Sequence, residues 1–145
     1  MTINRHTTIR HSNRLKDLYV TLDNPTKKAS LAMLLETEGH LQYYQSHPER
    51  NYAVPRWEPV LRIHMVDEQI VKWASKVMGG THVSFDRGFG AWYTEARGSR
   101  VIGVLKCIRP FIKGEKIVMV NCILKHGKYV ISKGDLAIIT NHNSS

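Results

Sequence analysis

Two carboxylates end an apolar segment in the first third of the chain, and their types and spacing are suited to metal-assisted catalysis. Residues 31–39 read Leu-Ala-Met-Leu-Leu-Glu-Thr-Glu-Gly, so Glu36 and Glu38 flank Thr37 directly before a glycine. A carboxylate at the end of a helix, directed into a groove, can hold Mg²⁺ with few other protein ligands, because this ion keeps several of its waters. Such a metal stabilises the charge that develops when water attacks a phosphodiester.

The charge balance points to a polyanionic partner. The 145 residues carry 21 Lys and Arg against 12 Asp and Glu, a net charge of +9, and the pI is near 9.8. Nucleic acid ranks ahead of an anionic membrane, because no basic amphipathic helix with an aromatic lipid-facing side is evident. A composition with 42% hydrophobic and 23% charged residues is that of a globular domain rather than a disordered chain.

No apolar run is long enough for a membrane span, and the first residues have no apolar core of a secretory signal. An intracellular protein, located with DNA and not bound to a membrane, is therefore expected. Cys107 and Cys122 lie in apolar runs and are interpreted as reduced core thiols. The eight histidines show no ligand spacing with these cysteines, so a structural zinc ion is not expected.

Periodicity and caps predict the order helix, two strands, helix, two strands, helix, helix within residues 23–127. Asn24 and Pro25 start the first helix and Gly39 ends it. Alternating residues over 40–47 and 56–65 predict half-buried strands, and a second hairpin follows over 81–96. Residues 1–22 form a basic arm with a short helix, and residues 128–145 a C-terminal extension whose polar end is expected to fray.

The segment 31–39 matches, position by position, the nine-residue motif of the LAGLIDADG homing endonucleases, and the sequence resembles that family. The likeness continues in residues 59–67, 70–80 and 92–116, and covers about residues 30–125. It implies an α+β protein of α-β-β-α-β-β-α order, with a curved antiparallel four-stranded sheet backed by helices. Met33 departs from the motif, which usually has glycine there to let two helices approach closely.

The resemblance implies a Mg²⁺-dependent (or Mn²⁺-dependent) endonuclease that cuts both strands of a long pseudo-palindromic DNA site. Such proteins are usually encoded in mobile introns or by free-standing mobile genes. Glu38 corresponds to the catalytic metal ligand, and the Thr37 carbonyl faces the metal. Glu36 is expected to act as a helix-end or salt-bridging acid. The family often has a basic residue near the scissile phosphate, and Arg97 is the catalytic candidate for that position, with Arg100 as the alternative.

A single motif per chain implies half an active site, completed by a homodimer in which the motif helices meet. Apolar residues surround most of this helix, so it could pack on its own sheet and on a partner helix. A helix buried within a monomer has the same pattern. The interface residues implied are Leu31, Ala32, Leu34 and Leu35.

Strand alternation places a set of polar side chains opposite the core, where a sheet could follow the major groove and contact base edges. Each one alone is equally consistent with a solvated surface residue. The predicted DNA-binding residues are His40, Gln42, Tyr44, Ser46, Arg62, His64, His82, Ser84, Arg87, Tyr93 and Arg100.

Two other functions remain open. The same fold could serve a non-cleaving nucleic-acid-binding protein, either an intron RNA maturase or a DNA-binding regulator. Met65 favours this alternative, because family members often have a polar residue there to position water. Glu38 favours the nuclease, because a pure binder needs no acid directed at phosphate. An unrelated basic α+β interaction protein would require the whole ordered match to be coincidence.

Overall fold

A computed structural model of the protein describes residues 21–50, 53–129 and 132–143. Over these ranges the chain forms a four-stranded antiparallel sheet and five α-helices, with a short 3₁₀ turn at Arg109–Phe111. In chain order the elements are α1 (Pro25–Glu38), β1 (Gly39–Ser46), β2 (Arg56–Met65), α2 (Glu68–Val77), β3 (Val83–Asp86), β4 (Ala91–Arg97), α3 (Ser99–Ile108), α4 (Ile117–His126) and α5 (Lys133–Asn143).

The start and end of α1 are set by local chemistry, as predicted. The Asn24 side chain accepts a hydrogen bond of 2.9 Å from the Lys27 N–H, and Pro25 is the first helical residue. At the other end, a Cβ on Gly39 would lie 2.7 Å from backbone and side-chain atoms of Leu35. Glycine therefore lets the chain leave the helix and enter β1 without a connecting loop.

The sheet has the strand order β1-β2-β4-β3, and every neighbouring pair is antiparallel. One face is buried beneath the helices and carries Leu41, Tyr43, Leu61, Ile63 and Thr94. The opposite face is open. These observations confirm the α+β fold class and the two predicted hairpins. The predicted alternation holds in β1, whereas in β2 Val60, on the opposite side from Leu61, is also buried.

The C-terminal region differs from its prediction. Residues 141–143, the described part of the polar end expected to fray, instead end α5, which packs on β1 and α4 and buries Ile139 in the core. The Asn143 amide donates to the Tyr43 carbonyl at 2.9 Å and accepts from the Tyr43 N–H at 3.3 Å. It therefore satisfies both outward-facing backbone groups of this residue at the edge of the sheet.

Most of the basic N-terminal arm lies outside the described residues. At its end, Thr21 donates a hydrogen bond of 3.0 Å to the Val77 carbonyl, and Leu22 is buried in the core. In the described part of the chain, no helix combines the length and apolar character needed to cross a bilayer.

Candidate functional site

Glu38 is the last residue of α1 and is exposed at the mouth of an open groove of about 750 Å³. Within the described residues, no hydrogen bond or ion pair engages its carboxylate. The carboxyl end of a helix carries partial negative charge, which adds to that of Glu38 and favours a cation. The groove is also lined by His40, Gln42, His64, Glu115, Lys116 and His142.

Glu36 has a structural role, in agreement with its prediction as a helix-end acid. Its carboxylate accepts hydrogen bonds from the backbone N–H of Lys113, at 2.8 Å, and from that of Gly114. The Glu36 carbonyl accepts a third bond, from the Lys116 ammonium at 3.0 Å. These bonds fix the loop before α4 against the end of α1, and they bring a cation to the groove that contains Glu38.

The donor set at this end of α1 fits a hard divalent cation. Glu38 supplies one carboxylate, and the Thr37 carbonyl lies in the last turn, where intrahelical partners run out. Mg²⁺ is commonly held by one or two carboxylates while it keeps several waters. Three converging His, Cys, Asp or Glu ligands are not found at this groove among the described residues. One chain therefore offers a partial metal site.

The open sheet face carries the predicted readout residues in register. His40 lies opposite Arg62, which lies opposite Glu95, and His64 lies opposite Tyr93, which lies opposite Ser84. The structure thus brings most of the predicted set onto one surface. Their contact with DNA stays a prediction. The members placed in strands on this face are His40, Gln42, Tyr44, Ser46, Arg62, His64, Ser84 and Tyr93.

Arg62 and His64 contact aromatic side chains on this face. The Arg62 guanidinium lies 4.1 Å from the centre of the Tyr93 ring. The His64 ring makes edge contacts with Phe89, at 5.5 Å, and with Tyr93, at 6.4 Å. Arg62 Nε and His64 Nε2 are buried and have no hydrogen-bond partner in the described structure. The Asp86 carboxylate lies 3.8 Å from His64 Nε2, at ion-pair rather than hydrogen-bond distance, and the ring contacts with Phe89 and Tyr93 add to it.

Arg97, at the end of β4, has different surroundings from those expected. Arg97 pairs with Val60, and Gly39, the residue after Glu38, pairs with Ile63. The partners of these two residues are therefore three residues apart on β2, about 10 Å along the strand. Arg97 binds Glu95 at 2.8 Å and lines a separate groove with Ser46. The chain thus does not bring Arg97 to Glu38; among the described residues that line the groove, Lys116 is the lysine or arginine.

Arg100, His82 and Arg87, three other predicted DNA-binding residues, lie outside the strands of the sheet. Arg100 lies in α3 and donates a hydrogen bond of 3.0 Å to the Met78 carbonyl at the end of α2, so its guanidinium holds two helices together rather than facing the open sheet. His82 precedes β3, and Arg87 lies in the β3–β4 turn; both are exposed.

The predicted dimer interface requires a correction. Leu31, Ala32 and Leu35 have no exposed area in the single chain, because they pack into the monomer core. They cannot contact a partner without unfolding the domain. Leu34 is partly exposed, and Met33, which the motif would have as glycine, is 59% exposed. The solvent-facing side of α1 is formed by Thr26, Ala29, Ser30, Met33 and Thr37.

Lys116 is the functional candidate that sequence reasoning missed. The sequence match ends at Lys116 but assigns it no role, because its place at the groove depends on a contact with Glu36, 80 residues away in the chain. Its position at the end of the matched segment 92–116 is the sequence signal that could have identified it as a site residue. Phe89 was also missed; its ring is 79% exposed beside His64.

Comparison with solved structures identifies the fold. Two structures of the homing endonuclease I-CvuI with DNA targets, one with Mg and one with Ca, superpose with TM-scores of 0.59 and 0.58 at 17% and 18% identity. Each match covers 69% of this chain and 64% of that chain. This is the LAGLIDADG homing endonuclease fold. The archaeal intron-encoded homing endonuclease I-Vdi141I, complexed with DNA, matches 83% of this chain and 98% of its own, with a TM-score of 0.50 and 13% identity.

Structural comparison establishes the LAGLIDADG fold, whereas whole-chain sequence comparison does not. No protein-family model and no curated protein matches the chain. At such low identity the comparisons establish the architecture, and the chain spans about 64% of the length of the I-CvuI structures. The recognition of the nine-residue motif and the order of its elements are confirmed.

Proposed function

We propose that the chain is a site-specific, double-strand DNA endonuclease that uses Mg²⁺ or Mn²⁺ and acts as a homodimer. The observation that carries this proposal is the position of Glu38. Its carboxylate, which has no hydrogen-bond or ion-pair partner among the described residues, ends α1 directly before the strand that opens the polar sheet face. The I-CvuI structures are complexes with DNA targets in the presence of Mg or Ca, which supports a divalent ion and a DNA substrate.

The chemistry follows from the groups around the groove. A divalent ion held by Glu38 and the Thr37 carbonyl would supply Lewis-acid stabilisation of charge on the phosphate oxygens. Lys116 holds a positive charge beside the same groove, where it can neutralise part of the developing phosphate charge. The net charge of +9 attracts the DNA backbone, and the sheet face is suited to the major groove.

A homodimer would complete the site. One chain supplies one Glu38, which can serve one DNA strand, so a double-strand break needs a second copy. The exposed side of α1 is suited to pair with itself, because Ala29 and Ser30 are small and Met33 adds an exposed apolar side chain. A twofold dimer would require a site with two similar half-sites.

The test is cleavage of a randomised-site plasmid library in Mg²⁺, with the native protein compared with Glu38→Gln. We expect cutting at a near-palindromic site by the native protein and none by the variant. Glu115→Gln is the matched control, since it removes an exposed acid from the same groove. Equal loss of cutting in both variants would mean that Glu38 acts through general charge rather than as a ligand.

Met65 supports a second candidate function. Its side chain packs against the core, so this strand position offers no polar group to orient a water molecule. The chain could then bind DNA or intron RNA without cleaving it. Sequence-specific binding by both the native protein and Glu38→Gln, with no product from either in Mg²⁺, would establish that function and refute the nuclease.

A further inference from the structure

Three metal-ligand side chains meet where α4 packs on α5. Cys122 and His126 lie one helical turn apart on α4, and Asp135 lies in the first turn of α5. The cysteine sulfur, an imidazole nitrogen and a carboxylate oxygen all lie within 4.8 Å of one another. None of these residues lines the groove at Glu38.

The cluster is enclosed and held in place by its neighbours. Cys122 is 5% exposed, and the side chains of His126 and Asp135 are 6% and 19% exposed. His126 Nε2 and Asp135 Oδ2 are hydrogen-bonded, and the more exposed Lys125 ammonium lies 3.4 Å from the same oxygen. Burial raises the pKa of the Cys122 thiol, and the Asp135 carboxylate adds to this effect.

The ligand types select among metals. A thiolate and an imidazole favour zinc over Mg²⁺, which prefers oxygen ligands alone. Tetrahedral zinc bonds bring the ligand atoms about 3.4–3.6 Å apart. Small side-chain rotations therefore suffice to close the cluster, and the hydrogen bond between His126 and Asp135 gives way to the metal.

We propose that Cys122, His126 and Asp135 bind one Zn²⁺ ion per chain, with water as the fourth ligand. The thiol proton leaves to solvent, and His126 coordinates through Nε2 with its remaining proton on Nδ1. Cys122 and His126 are four residues apart on one helix, which gives only two ligands and does not by itself indicate a metal site in the sequence. The third ligand is an acid from the next helix, which is why counting histidines and cysteines did not predict the site.

The ion would fasten α5 to the body of the domain. The far end of α5 holds β1 through the two hydrogen bonds between Asn143 and the Tyr43 backbone. Zinc at the first turn of α5 would thus stabilise both the helix and the edge strand of the open sheet face. This site does not depend on the proposed nuclease activity.

The experiment is a titration of the full chain with Co²⁺, a spectroscopic substitute for zinc. We expect one equivalent to bind, with a sulfur-to-metal charge-transfer band that added Zn²⁺ abolishes. Cys122→Ser should lose the band, and Asp135→Asn should lower the affinity at least about 10-fold. Cys107→Ser is the matched control, because its sulfur lies on α3 outside the cluster. Glu38→Gln should also keep the band, which separates this site from the groove.

A band that survives in Cys122→Ser, or no band in the native protein, would overturn the proposal. A second measurement uses the native chain alone, in case a variant does not fold. Saturating Zn²⁺ should raise the Tm by roughly 5–10 °C and slow hydrogen exchange in residues 133–143. Unchanged Tm and exchange at saturating zinc would mean that the three residues form only a structural hydrogen-bonded contact.

Discussion

The Lys116 ammonium donates a hydrogen bond of 3.0 Å to the carbonyl oxygen of Glu36, two residues before Glu38. This bond joins the loop before α4 to the end of the helix that carries the candidate metal ligand. The carbonyls in the last turn of a helix lack intrahelical partners, so a lysine is a natural donor there. It also holds a positive charge at the groove.

Replacing Lys116 with Met is expected to slow DNA cleavage about 10²–10³-fold while DNA affinity changes by less than about 3-fold. Methionine keeps most of the aliphatic volume and removes the charge. The measurement is single-turnover cleavage beside a binding titration. Lys113→Met is the control, because Lys113 is exposed on the same loop and contributes its backbone N–H to Glu36. Equal loss in both variants would contradict a specific role for Lys116.

Glu36→Ala is expected to destabilise the protein by about 1–3 kcal/mol, because two loop N–H groups lose a charged acceptor. Gly114→Ala should also destabilise it, since the added Cβ would lie 2.9 Å from Glu36 Oε1. The two effects share one contact and should not add. In urea unfolding, Gly114→Ala should cost little in the Glu36→Ala background; fully additive costs would show that Gly114 is needed for another reason.

The first half of the fold was predictable because its signals are local. Asn24, Pro25 and Gly39 mark the limits of α1 through capping, proline geometry and a close backbone approach, all of which act within a few residues. Strand alternation then places His40 and Gln42 on one face and Leu41 and Tyr43 on the other. These patterns need no knowledge of the rest of the chain.

The features of the fold and candidate site that the sequence does not predict depend on contacts between residues far apart in the chain. The apolar pattern of α1 could not separate side chains that face the core from those that face solvent, so Leu31 and Leu35 were assigned to the wrong surface. Lys116 reaches Glu36 across 80 residues, and Asn143 reaches Tyr43 across 100. Such pairs follow from the packing of α4 and α5, which periodicity does not determine.

Asn143→Ala is expected to lower the free energy of unfolding by about 1–3 kcal/mol, because Tyr43 loses the partners of its outward N–H and carbonyl. Asn143→Asp should be at least as damaging, since a carboxylate cannot donate to the carbonyl. Lys133→Ala, an exposed change at the other end of α5, is the control. If chemical denaturation finds Asn143→Ala no less stable than Lys133→Ala, this amide does not anchor the edge strand.

Met33→Arg is expected to raise the dimer dissociation constant at least about 100-fold, because it places two like charges where the α1 helices would meet. Sedimentation at several concentrations measures this directly. Val118→Arg adds the same charge at a comparably exposed apolar residue on α4 and should leave the association state unchanged. A native protein that is monomeric at high concentration, or a Met33→Arg protein that still dimerises, would refute an interface on this side of α1.

Arg62 is expected to recognise guanine, because its contact with the Tyr93 ring, at 4.1 Å from the ring centre, restricts the guanidinium on the open sheet face. A preoriented guanidinium can donate two hydrogen bonds to the O6 and N7 atoms of guanine. Arg62→Lys should therefore reduce discrimination at one base pair per half-site by about 1–3 kcal/mol. Tyr93→Leu should have a similar effect, whereas Tyr93→Phe keeps the ring and the preference.

Binding selection from a randomised half-site tests this assignment, with Arg87→Lys as the comparison. Arg87 is exposed in the β3–β4 turn, where a phosphate contact would change affinity for all sequences evenly. A loss of preference confined to one position in both Arg62→Lys and Tyr93→Leu would identify the stacked pair as a base reader. An even loss across all positions would mean that Arg62 contacts the DNA backbone, and base recognition would then have to come from other side chains on the sheet.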